Sequence, residues 1–310
     1  MSARALRRPR RLKAGDRVAL IAPSGPLPGD RLEAGLAFLR EWGLKPVVMP
    51  HALETDAALP YLAGSDADRA ADFAAAWSDP SIAGIISARG GYGVQRMLDL
   101  VDWPALAATE PKVYVGFSDA TALHEAIALR LEVATLHGPM PAWSTFVGDT
   151  ASREHLRRTL FEPELVQKLA PPTAGPLVPG QAAGVTFGGC ASLLAAGIGT
   201  AEDHRRAEGG ILLLEEIEEA GYRLDRYLTQ MRRAGRFDGV AGIALGSWTD
   251  CGPVDEVRAV LVDRLGDLGV PVVEDFGFGH CSPSWTVPLG VPAVLDADAG
   301  TLAFDVPALR

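Results

Sequence analysis

The sequence predicts an α/β protein in which an N-terminal doubly wound parallel sheet is followed by a C-terminal mixed α/β domain. In the first half, short apolar runs alternate with amphipathic stretches, the order expected of parallel strands joined by crossover helices. A proline-rich stretch at 163–179 interrupts this alternation near the middle of the 310-residue chain. The alternation then resumes, so we expect two domains of ordinary size.

The elements of the first half follow in regular order. Strands are predicted at 17–22, 45–49, 82–88 and 113–115, and helices at 30–42, 66–77, 94–100 and 121–131. The strand segments are short and almost wholly apolar, which is typical of parallel strands buried on both faces. In the last helix Leu123, Ile127 and Leu131 recur every four residues and define one buried face.

The second half repeats the pattern less regularly. Strands are predicted at 184–187, 211–214, 240–245 and 270–273, and helices at 191–196, 223–233 and 254–265. The predicted organisation is a basic tail at 1–14, a first domain at 15–142, a crossover linker at 143–183 and a second domain at 184–310. The apolar run that follows the basic tail is shorter than the roughly 7 residues of an export-signal core, so we interpret the tail as solvated.

Composition excludes several classes of partner. A net charge of −10 disfavours nucleic acid and anionic membrane surfaces and favours a small cationic or zwitterionic ligand. No window approaches the roughly 18 apolar residues of a membrane span. Three widely spaced cysteines without a CxxC pair indicate neither a disulfide framework nor a zinc site, and HExxH is absent too. We expect a cytoplasmic protein with no metal and no cofactor.

The segment KVYVGFSDATAL at 112–123 carries the strongest chemical signal. An apolar strand ends at Gly116, Ser118 follows, and a helix begins, which is how a serine nucleophile is presented at a sharp turn. The backbone N–H of Asp119 would then lie at a helix N-terminus, where it can stabilise an oxyanion. The alternative is a simple N-cap serine with Asp119 in the first helical turn. The segment lacks the second glycine of G-x-S-x-G.

A serine nucleophile needs a histidine and an acid. Among six histidines, His280 lies in a loop rich in glycine and proline, whereas His124 and His137 are interpreted as structural. Glu215 follows the apolar run 211–214, at the end of a strand where ligands of open sheets gather. Taken alone, their local pattern favours a loop histidine bonded to backbone for His280 and a solvated acidic run for Glu215.

The glycine-rich segment RGGYG at 89–93 directly follows a predicted strand. Its backbone N–H groups can approach a phosphate or an oxyanion closely. It lacks the third glycine of a dinucleotide fingerprint and the Lys-Ser/Thr of a P-loop. A similar cluster, FGGC at 187–190, fits a tight turn between strand and helix.

These segments together resemble the LD-carboxypeptidase family of serine peptidases, which includes murein LD-carboxypeptidases and microcin C immunity peptidases. The matching pieces are APSGP at 22–26, ARGGYG at 88–93, VGFSDATAL at 115–123, HGPM at 137–140, FGG at 187–189, LLLEEIEEAGYRLDR at 212–226, AGRFDGVAGIALG at 234–246 and GHCSPSWTVPLG at 279–290. Their order covers nearly the whole chain. The sequence departs from the family at Cys190, where asparagine usually follows the glycine pair.

The resemblance implies a catalytic triad of Ser118, Glu215 and His280. It also implies an oxyanion hole formed by the N–H groups of Asp119 and Gly91. The first domain would supply the serine and the second the glutamate and histidine, with the active site in the cleft between them. Family members are often homodimers, and we expect the same here.

The resulting hypothesis is a cytoplasmic serine carboxypeptidase that releases terminal D-alanine from murein tetrapeptides, with a small peptide as its partner. The alternative is a microcin-immunity-type peptidase that cleaves an aminoacyl or peptidyl nucleotide. The resemblance implies that such enzymes carry a longer loop with an aromatic residue that stacks on the base, and the 97 positions from Ser118 to Glu215 leave little room for one. Trp143 is the nearby tryptophan. A hypothesis of another class is a non-catalytic two-domain protein that binds anionic ligands.

Overall fold

The computed structural model describes residues 4–27, 29–203 and 208–310, which form two sheets with flanking helices. In chain order the strands are β1 (Arg17–Ile21), β2 (Lys45–Val48), β3 (Ile82–Ser87), β4 (Val113–Gly116), β5 (Thr135–His137), β6 (Lys168–Leu169), β7 (Gly175–Val178), β8 (Gln181–Cys190), β9 (Gly210–Ile217), β10 (Gly242–Thr249), β11 (Val272–Glu274), β12 (Val287–Leu289), β13 (Pro292–Asp296) and β14 (Thr301–Phe304). The helices are α1 (Gly29–Glu41), α2 (Asp66–Ser78), α3 (Val94–Met97), α4 (Trp103–Ala107), α5 (Thr121–Arg130), α6 (Ser144–Gly148), α7 (Thr150–Phe161), α8 (Ala191–Ala196), α9 (Gly221–Arg233) and α10 (Val254–Leu265). Within the described ranges, none of these helices has both the length and the apolar character that crossing a bilayer requires.

The first sheet has the order β12-β5-β4-β3-β1-β2, in which β1 to β5 are parallel and β12 is antiparallel at the edge. The chain order reverses at β1 and β3, so the loops after these strands diverge and open a crevice at their carboxyl ends. Residues of β1 enter two different cores in alternation: Val18 and Leu20 pack with α1 and α7, and Ala19 and Ile21 with α2 and α5. Both faces are therefore covered, as the apolar runs predict.

The second sheet has the order β6-β14-β13-β8-β9-β10-β11-β7. Strands β8 to β11 are parallel, and the remaining four add antiparallel edges. Helices α8, α9 and α10 cover one face, and the segment after β11 packs on the other. The predicted fold class, a doubly wound parallel sheet followed by a mixed α/β part, is confirmed.

The region 143–183, predicted as a crossover linker, has secondary structure of its own. It contains helices α6 and α7 and the short strands β6 and β7. Strand β12 lies in the part predicted as the second domain, yet it pairs with β5 of the first sheet, so the chain crosses back once. These strands have only two to four residues, too few for a period-two pattern to predict them.

The prediction of a solvated N-terminal tail is wrong for residues 6–12. Leu12 is buried, and Arg7 forms a parallel bridge with Val133. The Leu6 N–H donates to the carbonyl of Gly290 at 2.8 Å. Arginines dominate the pattern of this segment, but its backbone and its few apolar side chains decide where it lies. Residues 1–3 lie outside the described ranges.

Candidate active site

Ser118 occupies a sharp turn at the end of β4. Its φ of 62° lies in the left-handed region, which a residue with a side chain adopts rarely. A 3₁₀ turn at Ser118–Ala120 leads directly into α5. Among the described residues no backbone N–H donates to Ser118 Oγ. This geometry disfavours the N-cap alternative, because a capping serine has extended backbone and accepts a hydrogen bond from the first turn.

The glycine-rich loop after β3 packs directly on this serine. A Cβ atom on Gly90 would lie 2.9 Å from Ser118 Cβ and 3.0 Å from its Oγ. Gly91 has a φ of 120° and packs against the backbone of Gly25. Within the described ranges the N–H groups of Gly91 and Asp119 donate to no other residue, so both remain available to an oxyanion. Sequence reasoning missed Gly90, whose closeness to Ser118 depends on two neighbouring strands.

The Asp119 side chain ties the glycine loop to the serine turn. It is buried, and its Oδ2 accepts the N–H of Val94, the first residue of α3, at 2.9 Å. Burial raises the pKa of the Asp119 carboxyl to about 6, because its hydrogen-bond donors and a nearby guanidinium offset only part of the desolvation cost. The guanidinium is that of Arg69, which also donates to the carbonyl of Gly93 at 2.7 Å. The loop that carries Gly91 is thus held at its C-terminal end.

Glu215 and His280 form a buried hydrogen-bonded pair. His280 Nδ1 lies 2.7 Å from Glu215 Oε2, although the two residues are 65 positions apart in the chain. The Glu215 side chain is fully buried in β9, and His280 follows β11 in the loop. Gly279 allows this approach, because a Cβ there would lie 2.3 Å from Glu215 Oε2. The interpretation of Glu215 as part of a solvated acidic run is therefore wrong.

Each member of this pair shifts the titration of the other. Burial acts to raise the pKa of Glu215, but the charge and hydrogen bond of His280, together with the neighbouring His137, outweigh it and lower the pKa below the ordinary value. Burial acts to lower the pKa of His280, and Glu215 outweighs that effect and raises it. Glu215 is thus an anion that stabilises the protonated form of His280.

The pair lies beside the serine turn. The ring of Phe117, next to Ser118 in the chain, contacts the His280 ring at 4.7 Å between centroids. Trp143 packs on Phe117 at 4.7 Å and faces His280 at 6.1 Å. In the described part of the chain Ser118 Oγ and His280 form no hydrogen bond. Such bonds are commonly long before substrate binds.

The segment FGGC joins the two sheets next to the site. The Cys190 N–H donates to Thr121 Oγ1 of the serine helix at 3.0 Å. The Cys190 thiol donates to Glu216 Oε1 at 3.2 Å, and burial beside two carboxylates raises the pKa of this thiol. Glu216 is itself buried and accepts the Ser192 N–H at 2.7 Å. Sequence reasoning missed Glu216, because an acidic run does not distinguish its buried members from its solvated ones.

Comparison with known proteins identifies relatives along the whole chain. The LD-carboxypeptidase N-terminal domain matches residues 18–138, and the LD-carboxypeptidase C-terminal domain matches residues 183–295. A putative carboxypeptidase of Streptomyces coelicolor is 59% identical over 99% of this chain and 98% of its own. The murein tetrapeptide carboxypeptidase of Pseudomonas aeruginosa is 32% identical over 91% and 94%. The wild-type structure of the microcin C7 self-immunity protein MccF, a protein known from Escherichia coli, superposes with a TM-score of 0.86 at 25% identity over 98% and 100%.

Proposed function

The chain belongs to the LD-carboxypeptidase family, and from this premise we propose that it is a serine carboxypeptidase that releases terminal D-alanine from murein tetrapeptides. The observation that carries the proposal is the buried hydrogen bond between Glu215 and His280 beside a serine held at positive φ. The similarity to a murein tetrapeptide carboxypeptidase supports the choice of substrate. The bond cleaved would join an L-configured centre, such as that of meso-diaminopimelate, to D-alanine.

In the proposed mechanism Ser118 attacks the carbonyl carbon of the scissile amide. His280 accepts the serine proton and returns it to the leaving amine of D-alanine. The N–H groups of Asp119 and Gly91 donate to the oxyanion of the tetrahedral intermediate. Water, deprotonated by His280, then hydrolyses the acyl-enzyme and regenerates Ser118.

Glu215 supports both proton transfers in this scheme. Because the ionised Glu215 can only accept, the hydrogen bond places the proton of a neutral His280 on Nδ1 and leaves Nε2 unprotonated, as a base for the serine. Its negative charge stabilises the imidazolium that forms when the serine proton is taken. Because its histidine neighbours outweigh the effect of burial and lower its pKa, the carboxylate stays ionised across the neutral range.

Ser118→Ala tests the proposal. Release of D-alanine from a murein tetrapeptide should fall by about 10³-fold or more, because the nucleophile is lost while the oxyanion donors remain. Ser87→Ala is the matched control: Ser87 is a buried serine at the end of β3, and its Oγ lies 2.8 Å from the hydroxyl of Tyr114. This control should keep most of its activity. Wild-type activity in a folded Ser118→Ala protein would refute the mechanism.

A second candidate is cleavage of an aminoacyl or peptidyl nucleotide, as in microcin immunity. The observation that favours it is the half-buried ring of Trp143, which lies beside His280 and could stack on a base. Incubation with both substrates separates the two candidates by D-alanine release against nucleotide release. In the second case Trp143→Ala should weaken only nucleotide release.

A non-catalytic binding protein remains the alternative of another class. It predicts no covalent labelling of Ser118 by a fluorophosphonate probe, whereas the peptidase proposal predicts labelling that depends on His280. We also propose that the protein is cytoplasmic, on its cysteine pattern, and that it is a homodimer, as the family resemblance implies. Light scattering on the purified protein tests the dimer, and fractionation of cells tests the location.

A further inference from the structure

His137 is a buried titratable residue that the proposed mechanism does not use. It ends β5, next to β4 and its serine turn, and only 1% of its surface is exposed. The rings of Phe117 and Phe278 contact its ring edge-on, at 5.8 and 5.6 Å between centroids. Sequence reasoning interpreted His137 as structural, but packing alone does not require an imidazole here.

The polar atoms of His137 have no hydrogen-bond partner within the described ranges. Both ring nitrogens are buried and unbonded, and so is Oε1 of Glu215. His137 Nε2 lies 3.8 Å from that oxygen. A buried polar group left unpaired costs about 1–3 kcal/mol, so two that face each other are strongly driven to pair. The gap is roughly 1 Å longer than a charge-assisted hydrogen bond.

His280 uses the other oxygen of the same carboxylate. With Oε2 bound to His280 Nδ1, Oε1 is the oxygen that decides how the carboxylate is rotated. A donor on Oε1 would hold the plane of the carboxylate and keep Oε2 directed at His280. His137 is in position to be that donor.

We propose that His137 is a positioning residue whose Nε2–H donates to Glu215 Oε1 and thereby fixes the orientation of the Glu215–His280 pair. The inference rests on the proposed function, since a carboxylate needs orienting only if His280 acts as a base. His137 touches neither the nucleophile nor the scissile bond in this role. It acts through Glu215.

The surroundings of His137 leave Glu215 as its charged partner. His124 from α5 stacks on His137 at 6.3 Å, and both its nitrogens are bonded, to Thr135 Oγ1 and to the Gly116 carbonyl. Burial lowers the pKa of His124 to about 3, so it is neutral at working pH. His280 faces His137 across the carboxylate.

Replacement of His137 should change the pH dependence of the reaction. In His137→Phe the ring remains but the donor is lost, so the Glu215 charge is less dispersed and holds the His280 proton more tightly. Because His280 must lose that proton to act as base, the acid limb of kcat/KM should move up by about 1 pH unit. The acid limb of fluorophosphonate labelling of Ser118 should move equally. His137→Gln returns an N–H donor and should restore both.

The matched control is His124→Gln, which disturbs the same stack without removing a donor to Glu215. It should lower thermal stability and leave the acid limb unchanged. A wild-type acid limb in folded His137→Phe overturns the inference. If neither His137 variant folds, the ¹⁵N-edited NMR spectrum of the histidines in the wild-type protein tests the inference, because it reports which ring nitrogen of His137 carries the proton. The inference is supported if His137 is the Nε2–H tautomer and if Glu215→Gln shifts its Nε2 signal. The Nδ1–H tautomer overturns the inference.

Failure of this inference is distinct from failure of the proposed function. If Ser118→Ala keeps its activity or labelling, the peptidase mechanism is wrong. If Ser118→Ala abolishes both and His137→Phe shifts neither acid limb, the mechanism stands and only the role of His137 is lost.

Discussion

Asp119→Asn should stabilise this protein at neutral pH and leave its stability unchanged in acid. Asp119 is 2% exposed, and burial raises the pKa of its carboxyl from 3.8 to about 6. Between these two values the folded state holds a proton that the unfolded state has released, so the wild type loses stability as pH rises through this window. Two pKa units correspond to about 3 kcal/mol, and above pH ~6 this whole cost is present.

Asparagine removes the charge and keeps the acceptor. Its Oδ1 can still accept the Val94 N–H that Asp119 accepts at 2.9 Å. The difference in free energy of unfolding between variant and wild type should therefore rise from near zero at about pH 4 to about 3 kcal/mol at about pH 7.

Urea unfolding of both proteins across this pH range measures the difference directly, because titrations common to both cancel. Asp99→Asn, a change at an exposed carboxylate of the same half of the chain, should give a flat difference. A flat curve for Asp119→Asn, or a variant less stable than wild type at neutral pH, would refute the reasoning.

Two further substitutions test the packing around the site. Gly90→Ala places a methyl group 2.9 Å from Ser118 Cβ, which the backbone fixes, so kcat/KM should fall by about 10²-fold and the melting temperature should also fall; activity within twofold would count against the placement of this loop. Thr121→Val leaves the buried Cys190 N–H without its acceptor and should lower the free energy of unfolding, measured in urea, by about 1–3 kcal/mol. Thr121→Ser keeps the acceptor and should recover most of that loss, and equal stability of the two variants would contradict the role of this contact.

Much of the fold was predictable because its signals are local. The strands β1, β3 and β4 end within a residue or two of their predicted ends, since an apolar run buried on both faces is recognisable within its own few residues. Helix α10 occupies the predicted residues. The region 143–183 and the strands β12 to β14 were not predicted as elements. The strands among them have only two to five residues and are each fixed by pairing with a neighbouring strand, whereas α6 and α7 lie in a region that its prolines predicted to be a linker.

The sequence by itself determined the α/β class, the end of a strand just before Ser118, and the glycines that let backbone approach it, whereas the backbone conformation of Ser118 decided between a sharp turn and a simple N-cap. These follow from residue type and spacing over a dozen positions, where sterics and hydrophobic periodicity act. The roles of Ser118, Glu215 and His280 were inferred from family resemblance and stay a prediction until they are tested by mutation.

Only the tertiary structure decided which distant groups meet. Glu215 and His280 hydrogen bond across 65 positions because β9 and the loop after β11 emerge at the same edge of the second sheet. That edge faces the serine turn, and burial there makes Asp119 a weak acid and leaves His137 facing Glu215. Proximity and desolvation are properties of the packed molecule, and no local pattern of residues encodes them.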